Sequence, residues 1–299
     1  MKTYSRILFP LYAVMLTIIF QGCSAYKLQN AEVYGVPNRN PIKITENREP
    51  MSFMANTYLS FNKNRPLTAN IDEHSNINAS GVYELRPVPG EDYFEEPENV
   101  NRFNYNGNNF LWHIPEAQGG VDLDLALSKH FCVYGGFNFA QFHERDLLGK
   151  RFGIGFFSQS ENSAVRFDVS MRYQDFIYDV EYLKITDAHG QRHVYIYNEN
   201  NTDTESNLDF SLTLHSLHKT VNYFLTLSFG SQDFFSFTPI DGTLQNIEHS
   251  CTYTTLGLGL FTNITKEFRI IAGARYSIYN EQGRTSMPDF FIQQDFALF

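Results

Sequence analysis

From residue 51 onward, apolar residues recur at every second position, and helical spacing is nowhere sustained over 11 or more residues. The clearest run is 163–175, where Val165, Phe167, Val169, Met171 and Tyr173 alternate with Arg166, Asp168, Ser170, Arg172 and Gln174. Run 120–127 sets Val121, Leu123, Leu125 and Leu127 against Asp122, Asp124 and Ala126. In 207–215, Leu208, Phe210, Leu212 and Leu214 oppose Asp209, Ser211, Thr213 and His215. Run 220–230 opposes Val221, Tyr223, Leu225, Leu227 and Phe229 to Asn222, Phe224, Thr226, Ser228 and Gly230. Run 267–279 opposes Phe268, Ile270, Ala272, Ala274, Tyr276 and Ile278 to Arg269, Ile271, Gly273, Arg275, Ser277 and Tyr279. Less regular strands fill 131–142, 150–158, 250–261 and 289–299, and 52–62 is the weakest. A period of two turns alternate side chains to opposite faces, so each strand carries one apolar and one polar face.

The connections alternate in length. Short turns fall at Ser128–His130, Gln159–Asn162, Ser216–Lys219 and Thr262–Lys266, and longer links at 63–118, 143–149, 176–206, 231–249 and 280–288. Outer-membrane barrels have short periplasmic turns and long outer loops. The pattern therefore predicts an all-β fold, an antiparallel up-and-down transmembrane β-barrel of about ten strands over 51–299, with 63–118 as a long outer loop. A first strand running up from the periplasm and a last one ending there at Phe299 give an even count. A terminal Phe after Phe290-Phe291-Ile292 and Phe296-Ala297-Leu298 resembles the signal read by the barrel-insertion machinery, although Gln293, Asp295 and Phe299 share a parity. The alternative is a periplasmic β-sandwich, in which the apolar face covers a protein core. Sandwich strands average about 5–6 residues, shorter than most of these runs. The polar face carries Asp122, Asp124, Arg166, Asp168, Arg172, Asp209, Arg269 and Arg275. In a narrow lumen these mixed charges are expected to pair; a small barrel is largely filled by its own side chains.

The first 50 residues follow a different logic. Lys2 and Arg6 precede an apolar run from Ile7 to Phe20, then Gln21-Gly22-Cys23-Ser24. A basic start, an apolar stretch of about 14 residues and a small residue before the cut make a secretory signal rather than a spanning helix. Gly22-Cys23 turns it into a lipobox, with Phe20 standing where Leu is usual. The expectation is a lipoprotein signal peptide over 1–22, acylation of Cys23, and a lipidated tether over 23–50, polar and interrupted by Pro37 and Pro41. Two or three acyl chains anchor stably where one is marginal. The partners implied are outer-membrane lipid and the lipoprotein-sorting machinery. A secreted protein with a chance cysteine is the plainer reading.

Charge and composition narrow the classes. Because the signal takes Lys2 and Arg6 with it, the formal net charge moves from −10 for the whole chain to −12 for the mature part. That balance, with no basic stripe, argues against nucleic acid. Aromatic residues make up 16% of the chain and favour strands. A mean hydropathy of −0.32 does not argue against a barrel, whose lipid face hides in alternate positions. Cys132 and Cys251 are the remaining thiols and are expected to sit apart, near opposite ends.

Two stretches resemble a known family: Tyr34-Gly35-Val36-Pro37 with Pro41, and Gly119-Gly120-Val121-Asp122 leading through Ser128-Lys129-His130 into Val133-Tyr134-Gly135-Gly136-Phe137. They resemble a family of uncharacterised outer-membrane lipoproteins from the Bacteroidetes. The resemblance covers about a third of the chain. It implies a stretch following the lipid anchor and a hairpin leading into a strand rich in small and aromatic residues; it implies no activity.

Candidate chemistry is sparse. His189 and His193 have a spacing of four, but with Gly190 between them they read as a hairpin tip. The acidic run Glu91-Asp92-Tyr93-Phe94-Glu95-Glu96-Pro97-Glu98 lacks the spacing of a calcium loop. A barrel-embedded hydrolase of the omptin type would draw on His143, Glu144, Asp146, Asp175, Asp179 and His249 at the outer rim, with no recognisable motif. No nucleophile elbow, phosphate loop, CxxC or HExxH is present. The reading is a lipid-anchored, non-enzymatic barrel without cofactor or metal, presenting 63–118 and 176–206 outward to a surface ligand of unknown identity.

Overall fold

The computed structural model describes residues 24–37, 39–45, 49–62, 67–70, 84–85, 109–142, 145–188, 191–217, 220–238, 247–280 and 285–298. The signal segment, Cys23, the acidic run 91–98, His143, Glu144, His189 and Phe299 lie outside the described residues. Among the described residues, fourteen strands run in chain order: β1 Ser24–Gly35, β2 Phe53–Asn62, β3 Leu67–Asn70, β4 Glu84–Leu85, β5 Asn109–His113, β6 Ala117–Ala126 and β7 Phe131–Phe142. They continue as β8 Arg145–Gln159, β9 Ser163–Ala188, β10 Gln191–Ser216, β11 Asn222–Phe237, β12 Ile247–Asn263, β13 Phe268–Asn280 and β14 Thr285–Leu298.

Ten of them make a ring. The hydrogen-bonded order runs β9-β8-β7-β6-β2-β14-β13-β12-β11-β10, and β9 also pairs with β10, which closes the sheet. The first strand of the ring meets the last through Phe53↔Leu298 and Asp289↔Asn62, so β2, the weakest in sequence, belongs to the wall. Closure leaves no unpaired barrel edge. Most of the ring, with β9 up to Asp179 and β10 from Asn200, falls in a compact unit of Ala31–Ile71, Asn109–Asp179 and Asn200–Phe299. A second unit comprises Met1–Asn30, Asp72–Asn108 and Val180–Glu199. In it, Glu84–Leu85 pair in parallel with His193–Val194, and Tyr182 stacks on Tyr197 at 5.2 Å.

The wall is inside out relative to a soluble sheet. In β14, Phe290 is 66% exposed while its neighbour Asp289 is 0% exposed. The same contrast separates Phe137, Leu258, Leu227 and Phe156 outside from Asn56, Asp122, Gln293 and Ser60 inside. A sandwich buries its apolar face, so closure and this inverted pattern exclude that alternative. A continuous apolar exterior over a polar interior is the distribution of a barrel in lipid.

One end has tight connections. Leu127 N and Ser128 N donate to Phe131 O, Ser160 N donates to Ser163 O, and Ile264 N and Thr265 N donate to Phe268 O. The other end departs from expectation. Segment 176–206 is mostly strand, because β9 and β10 are 26 residues each. Strand β8 takes up 145–149 of the link expected at 143–149, and β3, β4, β5 and the start of β6 fall within 63–118. The period-two signal fades there because both faces are covered: Phe176, Ile177 and Tyr178 are consecutive and all buried. A register shift between Asp233 and Phe235 does the same to β11.

The interior is tight enough to need missing side chains. At Gly136 a Cβ would lie 2.0 Å from Asp122 Oδ1. At Gly155 it would lie 2.5 Å from Asp168 Oδ1 and 2.8 Å from Cys132 Sγ. Alternating small and large inward residues is how a narrow barrel fills its lumen.

Closed barrels resist detergent when cold, so the unboiled protein is expected to migrate faster on a gel than the boiled one. Gly136→Val should lower the temperature at which the fast band disappears, by a destabilisation of roughly 1–3 kcal/mol for overpacking. An unchanged midpoint would show that the Asp122 carboxylate is not held against this strand.

Candidate functional site: a charged lumen filled by the N-terminal arm

Part of the segment expected to be a tether lies inside the barrel. Arg39, Lys43, Ile42, Ile44 and Thr45 are all buried, as is Val36. Pairing with the inner wall explains this. The segment reads Pro41-Ile42-Lys43-Ile44-Thr45, itself a period-two strip. Ile42 and Ile44 pack against Phe224, Phe261, Ile271 and Phe291. Lys43 turns to the acids.

The arm's backbone is satisfied by side chains of the wall, as any buried backbone must be. Gln293 acts like a strand partner: its Oε1 accepts from Ile42 N at 2.9 Å and its Nε2 donates to Ile42 O at 2.7 Å. Arg275 Nη1 donates to Asn40 O at 2.7 Å, Arg172 Nη2 to Val36 O at 3.2 Å and Arg269 Nη1 to Ile44 O at 3.4 Å. Thr45 N lies 3.1 Å from His215 Nε2, which accepts.

Charge is matched in groups. Lys43 Nζ lies 2.6 Å from Asp122 Oδ2, and Arg151 binds the same oxygen. Lys43 also sits 4.6 Å over the Tyr134 ring. Arg39 Nη1 lies 2.9 Å from Asp289 Oδ2, where Arg275 Nη2 also reaches at 3.2 Å and Ser60 Oγ donates at 2.6 Å. Arg166 Nη2 bridges Asp124 and Asp168, each at 2.8 Å, and lies 3.1 Å from Cys132 Sγ. Arg269 Nη1 lies 3.5 Å from Asp295 Oδ2, whose other oxygen accepts from Asn56 and Gln293.

All eight charged residues singled out in the sequence are buried. The structure brings Asp124, Arg166 and Asp168 together directly. Asp122, Arg269 and Arg275 instead meet partners that the pattern did not mark: Lys43, Arg151, Asp295 and Asp289. Arg172 serves the arm's backbone, and Asp209 is buried on the inner face of β10. Arg39 and Lys43 were hidden by the assumption that a Pro-containing polar stretch is a tether. A cavity of about 20 Å³ beside Arg39, Asn40 and Lys43 has room for about one water.

Above the arm lies an aromatic cap. Trp112 of β5 donates through Nε1 to Gly35 O at 3.0 Å and meets Phe234 at 4.8 Å and Tyr279 at 5.0 Å. Phe110 packs against Phe234 and His249, with centroids 4.9 and 4.5 Å away. Tyr34 stacks on His113 at 4.5 Å and donates to Glu32 at 2.9 Å. Burial, reinforced by Glu32, pushes the Tyr34 phenol up to about 12.

The rim histidine and one of the rim acids are otherwise engaged. His249 lies among Phe110, Phe234 and Phe235. Asp175 accepts from Thr204 Oγ1 at 2.8 Å, and Asp146 is exposed. Among the described residues, no group of three or more His, Cys, Asp or Glu is placed to hold a metal. Cys132 and Cys251 are buried and not joined in a disulfide.

No protein-family model matches this sequence, and neither does any curated protein. Among solved structures, the chain is similar to the outer membrane protease OmpT from Escherichia coli, at 7% identity and a TM-score of 0.41, covering 83% of this chain and 97% of that one. It is also similar to the N-terminal β-barrel domain of Pseudomonas aeruginosa OprF, at 8% identity and a TM-score of 0.27, covering 83% and 100%. The attachment invasion locus protein Ail of Yersinia pestis gives 11%, 0.23, 84% and 100%. Likeness this distant assigns no activity.

Asp122→Asn would leave Lys43 and Arg151 facing each other without a carboxylate. It should destabilise the folded barrel by about 3–5 kcal/mol, and Asp122→Asn with Lys43→Met should recover part of that loss. Gln293→Leu removes both partners of the Ile42 backbone at about 1–3 kcal/mol per stranded group. The midpoint of urea unfolding in lipid vesicles reads each effect. Equal midpoints for Asp122→Asn and the native chain would refute the arm's electrostatic docking.

Proposed function

We propose that this protein is a lipid-anchored outer-membrane β-barrel, plugged by its own N-terminal arm, that serves envelope organisation or contact at the cell surface rather than transport or catalysis. The observation that carries this is the buried, charge-paired arm between the barrel walls. Transport needs a continuous wet path, and open channels come from barrels of about 16 strands. A lumen whose Asn56, Ser60 and Asp289 are 0% exposed favours a solid pillar over a pore.

The outer-membrane location is supported by the apolar exterior and by short turns at one end. The anchor rests on the Gly22-Cys23 lipobox, and the resemblance to Bacteroidetes lipoproteins agrees with it. Contact is assigned to 72–108 and 180–199, since binding residues concentrate on connections carried by a rigid scaffold. The non-enzymatic reading is supported by the packing of His249 among aromatic rings.

In planar bilayers the purified protein is expected to show no steady conductance; stable channel steps would overturn the plugged reading. His249→Ala and Asp146→Ala should leave lipid and peptide turnover by whole cells unchanged, and a loss would favour a rim hydrolase. Removing 72–108 together with 180–199 should preserve the heat-modifiable band while abolishing binding of cells to surface glycans or host proteins. Unaltered binding in every such assay would remove support for the contact role.

A further inference from the structure

The direction in which the arm crosses the lumen can be read from its contacts. Tyr34 meets Phe142, and Val36 packs with Ala140, Leu147 and Ile177, at the end of β7 and the start of β8. Asn40 is bound by Arg275, Ile42 by Gln293, Ile44 by Arg269 and Thr45 by His215. In the β13–β14 register, Arg275 pairs with Asp289, Ile271 with Gln293 and Arg269 with Asp295, so these contacts step steadily toward the 264–267 turn. The chain then leaves at the tight-turn end, where Met51 N donates to Ala126 O at 2.6 Å and Ala126 N donates to Ser52 O at 3.0 Å. There Met51 takes a φ of 66° to reverse into β2. Ten residues of extended chain span at most about 33–36 Å, enough to cross an apolar band of about 25 Å.

The tight-turn end of such a barrel faces the periplasm. We propose that the arm threads the barrel from periplasm to cell surface, so that the N-terminal end of the mature chain, and the acyl chains on Cys23, stand at the outer face of the membrane. This rests on the lipoprotein reading for the acyl chains, but not for the path of the arm. It reverses the simplest arrangement, a lipid in the periplasmic leaflet feeding the first strand upward. About eight residues separate Ala31 from Cys23. They span at most about 26–29 Å, which the turn over the rim would use up before a second crossing of a band of about 25 Å, and bare backbone in lipid would lose its hydrogen bonds at several kcal/mol per group. The acyl chains are therefore directed to the outer leaflet, and the barrel carries its own surface-exposed lipid.

Single-cysteine labelling of the full-length protein in intact cells tests this. Cys132 and Cys251 are buried, so the native chain sets a low background. Glu32→Cys lies in an exposed position on the arm before it enters the lumen, and Lys129→Cys in an exposed position on a tight turn. With a membrane-impermeant maleimide, Glu32→Cys is expected to label at least tenfold above background in intact cells. Lys129→Cys should label only after permeabilisation. Asn30→Cys, also exposed, is the second arm probe if Glu32→Cys fails to give the heat-modifiable band. Arm cysteines that label only after permeabilisation, or a Lys129→Cys that labels in intact cells, overturn the proposed threading. Palmitate incorporation, compared between the native chain and Cys23→Ala, is scored on the same cells. No palmitate on a chain whose arm labels from outside would refute the lipid anchor while upholding the threaded arm.

Discussion

Asp122 and Asp289 each sit between two cations, one from the wall and one from the arm. These two junctions hold the molecule together from the inside. A carboxylate removed from water costs several kcal/mol unless opposite charge and hydrogen bonds replace its hydration. Asp122 has Arg151 across the strands, and Lys43 closes its remaining side. Asp289 has Arg275, Ser60 and Arg39. Elsewhere in the wall the ratio is reversed, for one guanidinium, Arg166, serves both Asp124 and Asp168. Arm cations therefore distribute positive charge through a lumen in which wall residues alone pair unevenly. Replacing the whole network with apolar side chains could be as stable; what the ion pairs fix is the register of the arm in the wall.

Everything else follows from giving the interior to polar groups. Outside, Phe137, Phe290 and Leu258 are free to meet hydrocarbon because no protein core competes for them. Inside, volume is the limit, and Gly136 and Gly155 stand where a methyl group would strike a carboxylate or a thiol. At the link-rich end, where the lipid constraint ends, aromatic rings take over. Trp112, Phe110 and Phe234 form a dry cluster around Gly35, the point at which the chain enters the barrel.

The sequence made the wall legible because a strand with lipid on one side and a polar lumen on the other has no freedom in its alternation. That constraint exposed Val165 to Gln174 and Phe268 to Tyr279 as strands at a glance. It failed where its cause was absent. Residues 176–178 are covered on both faces and read as a link, though they continue β9. The charged face was readable, but only Arg166 found its partners within the set that periodicity marked. Lys43 and Arg39 escaped because the alternation of 41–45 is short and follows two prolines in a polar stretch; Gln293 supplies the pairing that a neighbouring strand would. Asp289 and Asp295 lay in a strand whose parity the C-terminal aromatics obscured.

The interior course of residues 36–45 gives the molecule the connectivity of a ring on an axle. The axle bears ionic clasps at Arg39 and Lys43, and the ring is sealed by backbone hydrogen bonds between β2 and β14 and between β9 and β10. Neither part can leave the other unless the clasps are pulled through the bore or the seam opens. Tension applied at one end of the arm is thus borne by the full circumference of the wall. Assembly meets the same geometry in time: the arm is enclosed as the last seam zips, or its free end passes through the finished bore.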